Sequence, residues 1–171
     1  MNVRFAILTV SDRSSRGERP DQSGPALAEF VRQQGWEVSL TYTLPDDLHA
    51  LREILSAWAD NGDFDVILTT GGTGFSPRDV TPEATAAVSS RPAPGLAEAM
   101  RMASMRINPH AMLSRGTAVI RRHTLIVNLP GSPKAAVENL QVIVPVLPHA
   151  VALLRDEPQA EAGHQSLSPQ S

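Results

Sequence analysis

Apolar residues fill nearly every position of "VRFAILTV" (3–10) and stop abruptly at Ser11-Asp12. A short run of that kind marks a strand covered on both faces, as in a parallel sheet. In "SGPALAEFVRQQG" (23–35) the spacing becomes helical: Leu27, Phe30 and Val31 share a face, with Ser and Pro at the start and Gly at the end. Strand alternation returns in "WEVSLTYTL" (36–44). After "PDD", the stretch "DLHALREILSAWAD" (47–60) places Leu48, Leu51, Ile54, Leu55 and Trp58 at helical spacing. "FDVILTT" (64–70) reads as a third strand, closed by glycines. This β-α-β-α-β order predicts an α/β fold, a parallel sheet with right-handed crossovers and helices on both faces.

Beyond the glycines, Thr81-Pro82 predicts the N-cap and first turn of a helix reaching about Val88, and a second helix is expected from Gly95 to about Ile107. "GTAVIRRHTLIVNLPG" (116–131) holds two β-rich runs around Arg122-His123, either a hairpin or two neighbouring strands. "SPKAAVENLQVIVPVLPHAVALLR" (132–155) begins as a Ser-Pro helix start and is interrupted by Pro145 and Pro148. From Asp156 the chain turns polar and aperiodic, so one domain over 1–155 and a disordered tail over 156–171 are expected.

Charge and composition then remove several classes of function. Fifteen basic against eighteen acidic side chains give no bulk electrostatic case for nucleic acid or an anionic membrane. Without cysteine, this sequence has no disulfide, thiolate nucleophile or cysteine metal cage. "MNVRFAILTVSD" is too short an apolar run for a signal peptide, and no stretch looks long enough to span a bilayer, so a cytoplasmic location is expected. The five histidines are scattered without metal-ligand spacing, and no G-x-S-x-G elbow is present.

What remains is polar chemistry at strand ends. Ser11-Asp12, Asp46-Asp47 and the stretch from Gly71 to Asp79 each follow a proposed parallel strand, and ligands of open α/β sheets bind beyond the carboxyl ends of strands. An ordinary turn or cap accounts for any one cluster, but the three converge on one rim. Gly71, Gly72 and Gly74 can adopt positive φ and aim consecutive N–H groups at an anion, with Arg78 as a fork of donors. "LPGSPK" (129–134) repeats the device, setting Lys134 in the first turn of a helix that starts at Ser132. Asp79 is either a turn or capping carboxylate or a metal ligand.

Taken together, "VSDRSSRGERPDQSG", "LPDD", "TTGGTGFSPRDVTPEAT" and "NLPGSPKAA" resemble the MoaB/Mog family of molybdenum cofactor biosynthesis over about residues 3–155. That family includes the molybdopterin adenylyltransferases and the G domain of gephyrin. The resemblance implies a three-layer αβα sandwich with a mostly parallel sheet, usually assembled as a homotrimer. It implies ATP and molybdopterin as substrates, Mg²⁺ as cofactor, and transfer of AMP onto the pterin's terminal phosphate. A non-catalytic pterin-binding or carrier protein of the same fold is the alternative, and contact with the molybdenum-insertion enzyme is admitted. The essential aspartates of the family's catalytic members fall on Asp46 and Asp79, which are also the Mg²⁺ candidates. Ser11, Asp12, Ser23, Gly24, Thr70, Gly71, Gly72, Thr73, Gly74, Arg78, Pro130, Gly131, Ser132 and Lys134 are the corresponding substrate- and phosphate-binding candidates.

Overall fold

The first apolar run forms β1 (Arg4–Val10), in which every residue after Arg4 is buried. β3 (Val66–Thr70) and β6 (Thr124–Leu129) are buried throughout, whereas β2 (Glu37–Leu44) is largely exposed at an edge. The computed structural model describes residues 1–158 and 160. Its sheet has six strands in the order β2-β1-β3-β6-β5-β4, completed by β4 (Arg91–Pro92) and β5 (Ala118–Arg121). β2, β1, β3 and β6 run parallel; β5 pairs antiparallel with β6, and β4 antiparallel with β5. The runs around Arg122-His123 are therefore a hairpin, with Arg122 at φ +51° in its turn.

Side chains of β1 divide between two cores because strand residues alternate faces. Phe5 and Ile7 pack with Leu27, Val31, Leu140 and Leu147, while Ala6, Leu8 and Val10 pack with Leu51, Leu55 and Trp58. The first face carries α2 (Ser23–Gln33), α5 (Pro94–Met105), α6 (Pro133–Ile143) and α7 (Leu147–Leu154). The second carries α3 (Leu48–Asp60) and α4 (Thr81–Ala87). The result is a three-layer αβα sandwich, with a mostly parallel sheet as expected.

Several local expectations are corrected. A four-residue helix, α1 (Asp12–Ser15), follows β1 directly, capped by the Ser11 side chain. Leu48 is exposed, because it opens α3 just after the capping carboxylate of Asp47, which accepts from Ala50 N at 2.7 Å. Thr81 does not cap α4; Val80 holds that position, and the buried Thr81 hydroxyl donates instead to Gly71 O at 3.0 Å. Residues 133–154 are, by length and composition, apolar enough to cross a membrane, contrary to expectation. Their Ala136, Leu140, Ile143, Leu147 and Val151 belong to the core against the sheet, while Val142, Val146 and Leu153 are exposed. The expected tail lies outside the described residues except for 156–158 and 160. There Asp156 takes φ +56° and Glu157 N donates to Ala152 O, a Schellman end to α7.

Both ends of the described chain are fastened at one buried carboxylate. Asp65, 4% exposed, accepts from Arg4 N at 2.8 Å and from Arg155 Nη2 at 2.6 Å, and Arg155 also donates to Asn2 O. Burial pushes the Asp65 carboxyl upward, but hydrogen bonds from Arg155 and Arg4 outweigh it and hold the group below its ordinary value. A depressed folded-state pKa contributes stability that is present above the unfolded value of about 3.9 and lost as pH falls through the folded value. Asp65→Asn is therefore expected to cost about 3 kcal/mol at pH 7, because it removes the buried carboxylate that the two guanidinium groups share. In denaturant unfolding the gap should narrow as pH falls below about 3.9 and through the folded value; a gap that did not narrow at all there would contradict the ion-pair origin.

Candidate active site

Parallel pairing brings the carboxyl ends of β1, β2, β3 and β6 to one rim. There the ends of β3 and β6 are bound together: Thr70 Oγ1 donates to Pro130 O at 2.7 Å and Gly71 N to Leu129 O at 3.1 Å. At the crossing glycine is required at 71 and closely fitted at 131. A Cβ on Gly71 would lie 2.3 Å from Val10 O, and one on Gly131 would lie 3.3 Å from Gly71 Cα. Gly71 also sits at φ +100°, which side chains strongly disfavour.

Asp12 and Asp46, at the ends of β1 and β2, hold each other reciprocally. Asp12 N donates to Asp46 Oδ2 at 3.1 Å, and Asp46 N donates to Asp12 Oδ1 at 3.0 Å. The second oxygen of Asp46, Oδ1, is buried and without a hydrogen-bond partner among the described residues. A Cβ on Gly72 would stand 2.8 Å from that oxygen and 2.4 Å from Thr81 Oγ1, so only glycine fits against it. Burial, and then the nearby Asp12 and Asp79 carboxylates, push the Asp46 carboxyl above its ordinary value, against the lowering effect of the Asp12 N–H. Asp12 shifts the other way, chiefly through its hydrogen bonds from Arg78.

Asp46 and Asp79 line one cleft of about 440 Å³, together with Ser11, Ser23, Thr70, Gly71, Gly72, Gly131 and Ser132. A second cleft of about 450 Å³ is lined by Thr73, Gly74, Pro130, Ser132 and Lys134 among the predicted residues, so the two meet at Ser132. Asp12, Gly24 and Arg78 line neither. The Arg78 fork is engaged by Asp12, at 2.9 and 3.0 Å, rather than presented to the cleft. Gly24 N donates to Asp21 Oδ1 at 3.1 Å. Gly74 does not adopt positive φ; a Cβ there would lie 2.9 Å from Asp79 Oδ2, so its absence makes room for that carboxylate. Gly71 N–H is taken by Leu129, whereas those of Gly72, Thr73 and Gly74 have no acceptor among the described residues.

Two residues organise the site without having been singled out as candidates: Asp21, which the sequence offers only as part of a quoted motif, and Arg115. Asp21 binds Thr9 Oγ1, Ser23 Oγ and Gly24 N, and so fixes the start of α2 against β1. Arg115 reaches Gly74 O and Asp79 O from a segment with no periodicity of its own. The Asp21 contacts with Ser23 and Gly24 are local, of the kind that starts helices, but no spacing in the sequence signals its contact with Thr9 or those of Arg115.

Residues 6–149 match a family model described as a probable molybdopterin binding domain. Gephyrin of Dictyostelium discoideum is 43% identical over 90% of this chain, which spans 23% of gephyrin's length. The molybdopterin adenylyltransferase of Helicobacter pylori is 38% identical, covering 89% of this chain and 88% of its own. The crystal structure of the molybdopterin biosynthesis enzyme MoaB from Thermus thermophilus superposes with a TM-score of 0.85 at 49% identity, over 91% of this chain and 98% of that one.

A raised carboxyl pKa means that folding favours the protonated form. The fold is therefore penalised as pH rises from about 3.9 through the higher folded value. Asp46→Asn removes that penalty and should melt above wild type at pH 7, with the two converging near pH 3. A lower melting temperature at pH 7 would show that Asp46 Oδ1 is satisfied by the protein itself.

Proposed function

The chain belongs to the molybdopterin-binding domain family, and from that premise we propose that it is a molybdopterin adenylyltransferase of molybdenum cofactor biosynthesis. In this reading a phosphate oxygen of molybdopterin bonds to the α-phosphorus of ATP, the bond from that phosphorus to the bridging oxygen breaks, and pyrophosphate leaves. The observation that carries the reading is the buried, unpartnered oxygen of Asp46 in a cleft shared with Asp79.

A phosphate monoester has a second pKa of about 6 and is largely dianionic at neutral pH, so its attack requires no general base. The task left to the chain is to bring two polyanions together. N–H groups of Gly72, Thr73 and Gly74, the amino terminus of α6 at Ser132, and the exposed Lys134 all favour anions. Asp46 and Asp79 suit Mg²⁺, which takes one or two carboxylates and completes its shell with water and substrate phosphates. No cluster of three protein ligands occurs among the described residues, in keeping with such a site rather than a protein cage. Bound there, Mg²⁺ supplies the charge neutralisation between the two phosphate groups. The second cleft, with Ala97, Met100 and Leu113 beside Ser104, Asn108 and Asn139, has the mixed lining that suits a flat heterocycle.

Asp79 Oδ2 accepts from Ser76 N at 3.1 Å, a bond that an amide oxygen also makes. Asp79→Asn is thus expected to unfold within about 1 kcal/mol of wild type and to bind molybdopterin. Its molybdopterin- and Mg-ATP-dependent release of pyrophosphate should fall by at least about a hundredfold, and that of Asp46→Asn likewise. Normal turnover in either variant sinks the assignment. A wild-type protein that binds the pterin but releases no pyrophosphate is a carrier. Homotrimeric assembly belongs to the same proposal, on the family resemblance; light scattering should give three times the chain mass, and a monomer mass removes it.

A further inference from the structure

We propose that Arg115 is a positioning residue for the site, acting by holding the loop that carries Asp79. The inference rests on the adenylyltransferase reading only for its effect on rate; the tether itself is independent of it. Arg115 lines neither cleft. Its backbone N donates to Thr73 O at 2.8 Å, its Nε to Gly74 O at 2.7 Å and its Nη2 to Asp79 O at 2.8 Å. Its Nη1 pairs with the Glu83 carboxylate in the first turn of α4. One residue thus spans the loop from Thr73 to Asp79 and joins both its ends to the following helix.

Apart from the bonds of Arg115 and of Arg78, the hydrogen bonds within that span close on the loop itself. Asp79 N donates to Ser76 O, Ser76 N to Asp79 Oδ2, and Arg78 N to Ser76 Oγ. Phe75, at 67% exposure, adds no core anchor. The remaining side-chain tie runs from Arg78 to Asp12 and is itself exposed. Val80 packs on the core and Thr81 bonds to Gly71 O and Gly72 O just beyond the turn, so the Arg115 guanidinium is the contact that joins its near end, at Gly74 O, to its far end, at Asp79 O. A planar fork reaches two carbonyls and a carboxylate together, which the single ammonium of lysine cannot do. Misplacement by about 1 Å at a reacting site can cost about a hundredfold in rate.

The test uses the full chain as Arg115→Lys and Arg115→Met, with wild type alongside. Amide hydrogen exchange in Arg115→Lys should quicken over residues 73–79 and remain at the wild-type rate in β1, β3 and β6. In the same variant kcat for pyrophosphate release should fall about tenfold to a hundredfold. The Mg²⁺ concentration giving half the maximal rate should rise, a change that mere loss of folded protein does not produce. Arg115→Met should show the same pattern more strongly where it folds; the lysine variant decides the question where it does not. Unchanged exchange over 73–79, exchange quickened throughout the sheet, or quickened loop exchange with wild-type kcat and Mg²⁺ requirement each overturn the proposal. If wild type itself releases no pyrophosphate, the function proposed above fails, and the exchange measurement alone decides the tether.

Discussion

Asp46 keeps one carboxylate oxygen buried without a donor, a placement that costs free energy unless a charged partner arrives. The surroundings leave that oxygen without a donor. Asp12 N–H fixes the other oxygen, Asp12 is in turn occupied by Asp46 N–H and Arg78, and Asp79 adds like charge from the same cleft. A donor side chain would relieve the strain most simply, but Gly72 occupies the position from which one could reach. The arrangement is stable as folded and incomplete electrostatically.

Backbone packing supplies the rigidity this requires. β3 and β6 end against each other so closely that Gly71 and Gly131 meet without side chains, and Thr81 locks the glycine turn through Gly71 O. Behind them, buried β1, β3 and β6 separate two apolar cores, so the rim rests on the least deformable part of the sheet. Function sits on loops, but the loops are held from the ends of rigid strands.

The fold was largely legible because its signals are local and periodic. Continuous apolar runs at 3–10 and 64–70, and the helical spacing of Leu51, Leu55 and Trp58, report burial that each element carries in its own sequence. The short α1 and the two-residue β4 carry too few residues for any period to appear. At the site, the residue types and their convergence on one rim were readable, since strand ends in a parallel sheet lie together whatever intervenes in the chain. Partnerships were not. Arg78 reads as a free anion fork until Asp12, 66 residues earlier, is seen to occupy it. Gly71 reads as a nest donor until β6 claims its N–H, and Arg115 has no pattern at all. These contacts are set by tertiary approach, on which sequence spacing is silent.

Whether the unpaired oxygen is a cation seat can be observed directly by anomalous diffraction from crystals grown with Mn²⁺ and a non-hydrolysable ATP analogue. The expected map has a manganese peak in coordination contact with Asp46 Oδ1, shared between Asp79 and the nucleotide phosphates. A nucleotide bound in the cleft with the metal away from both carboxylates, and Asp46 Oδ1 still without a partner, would contradict it.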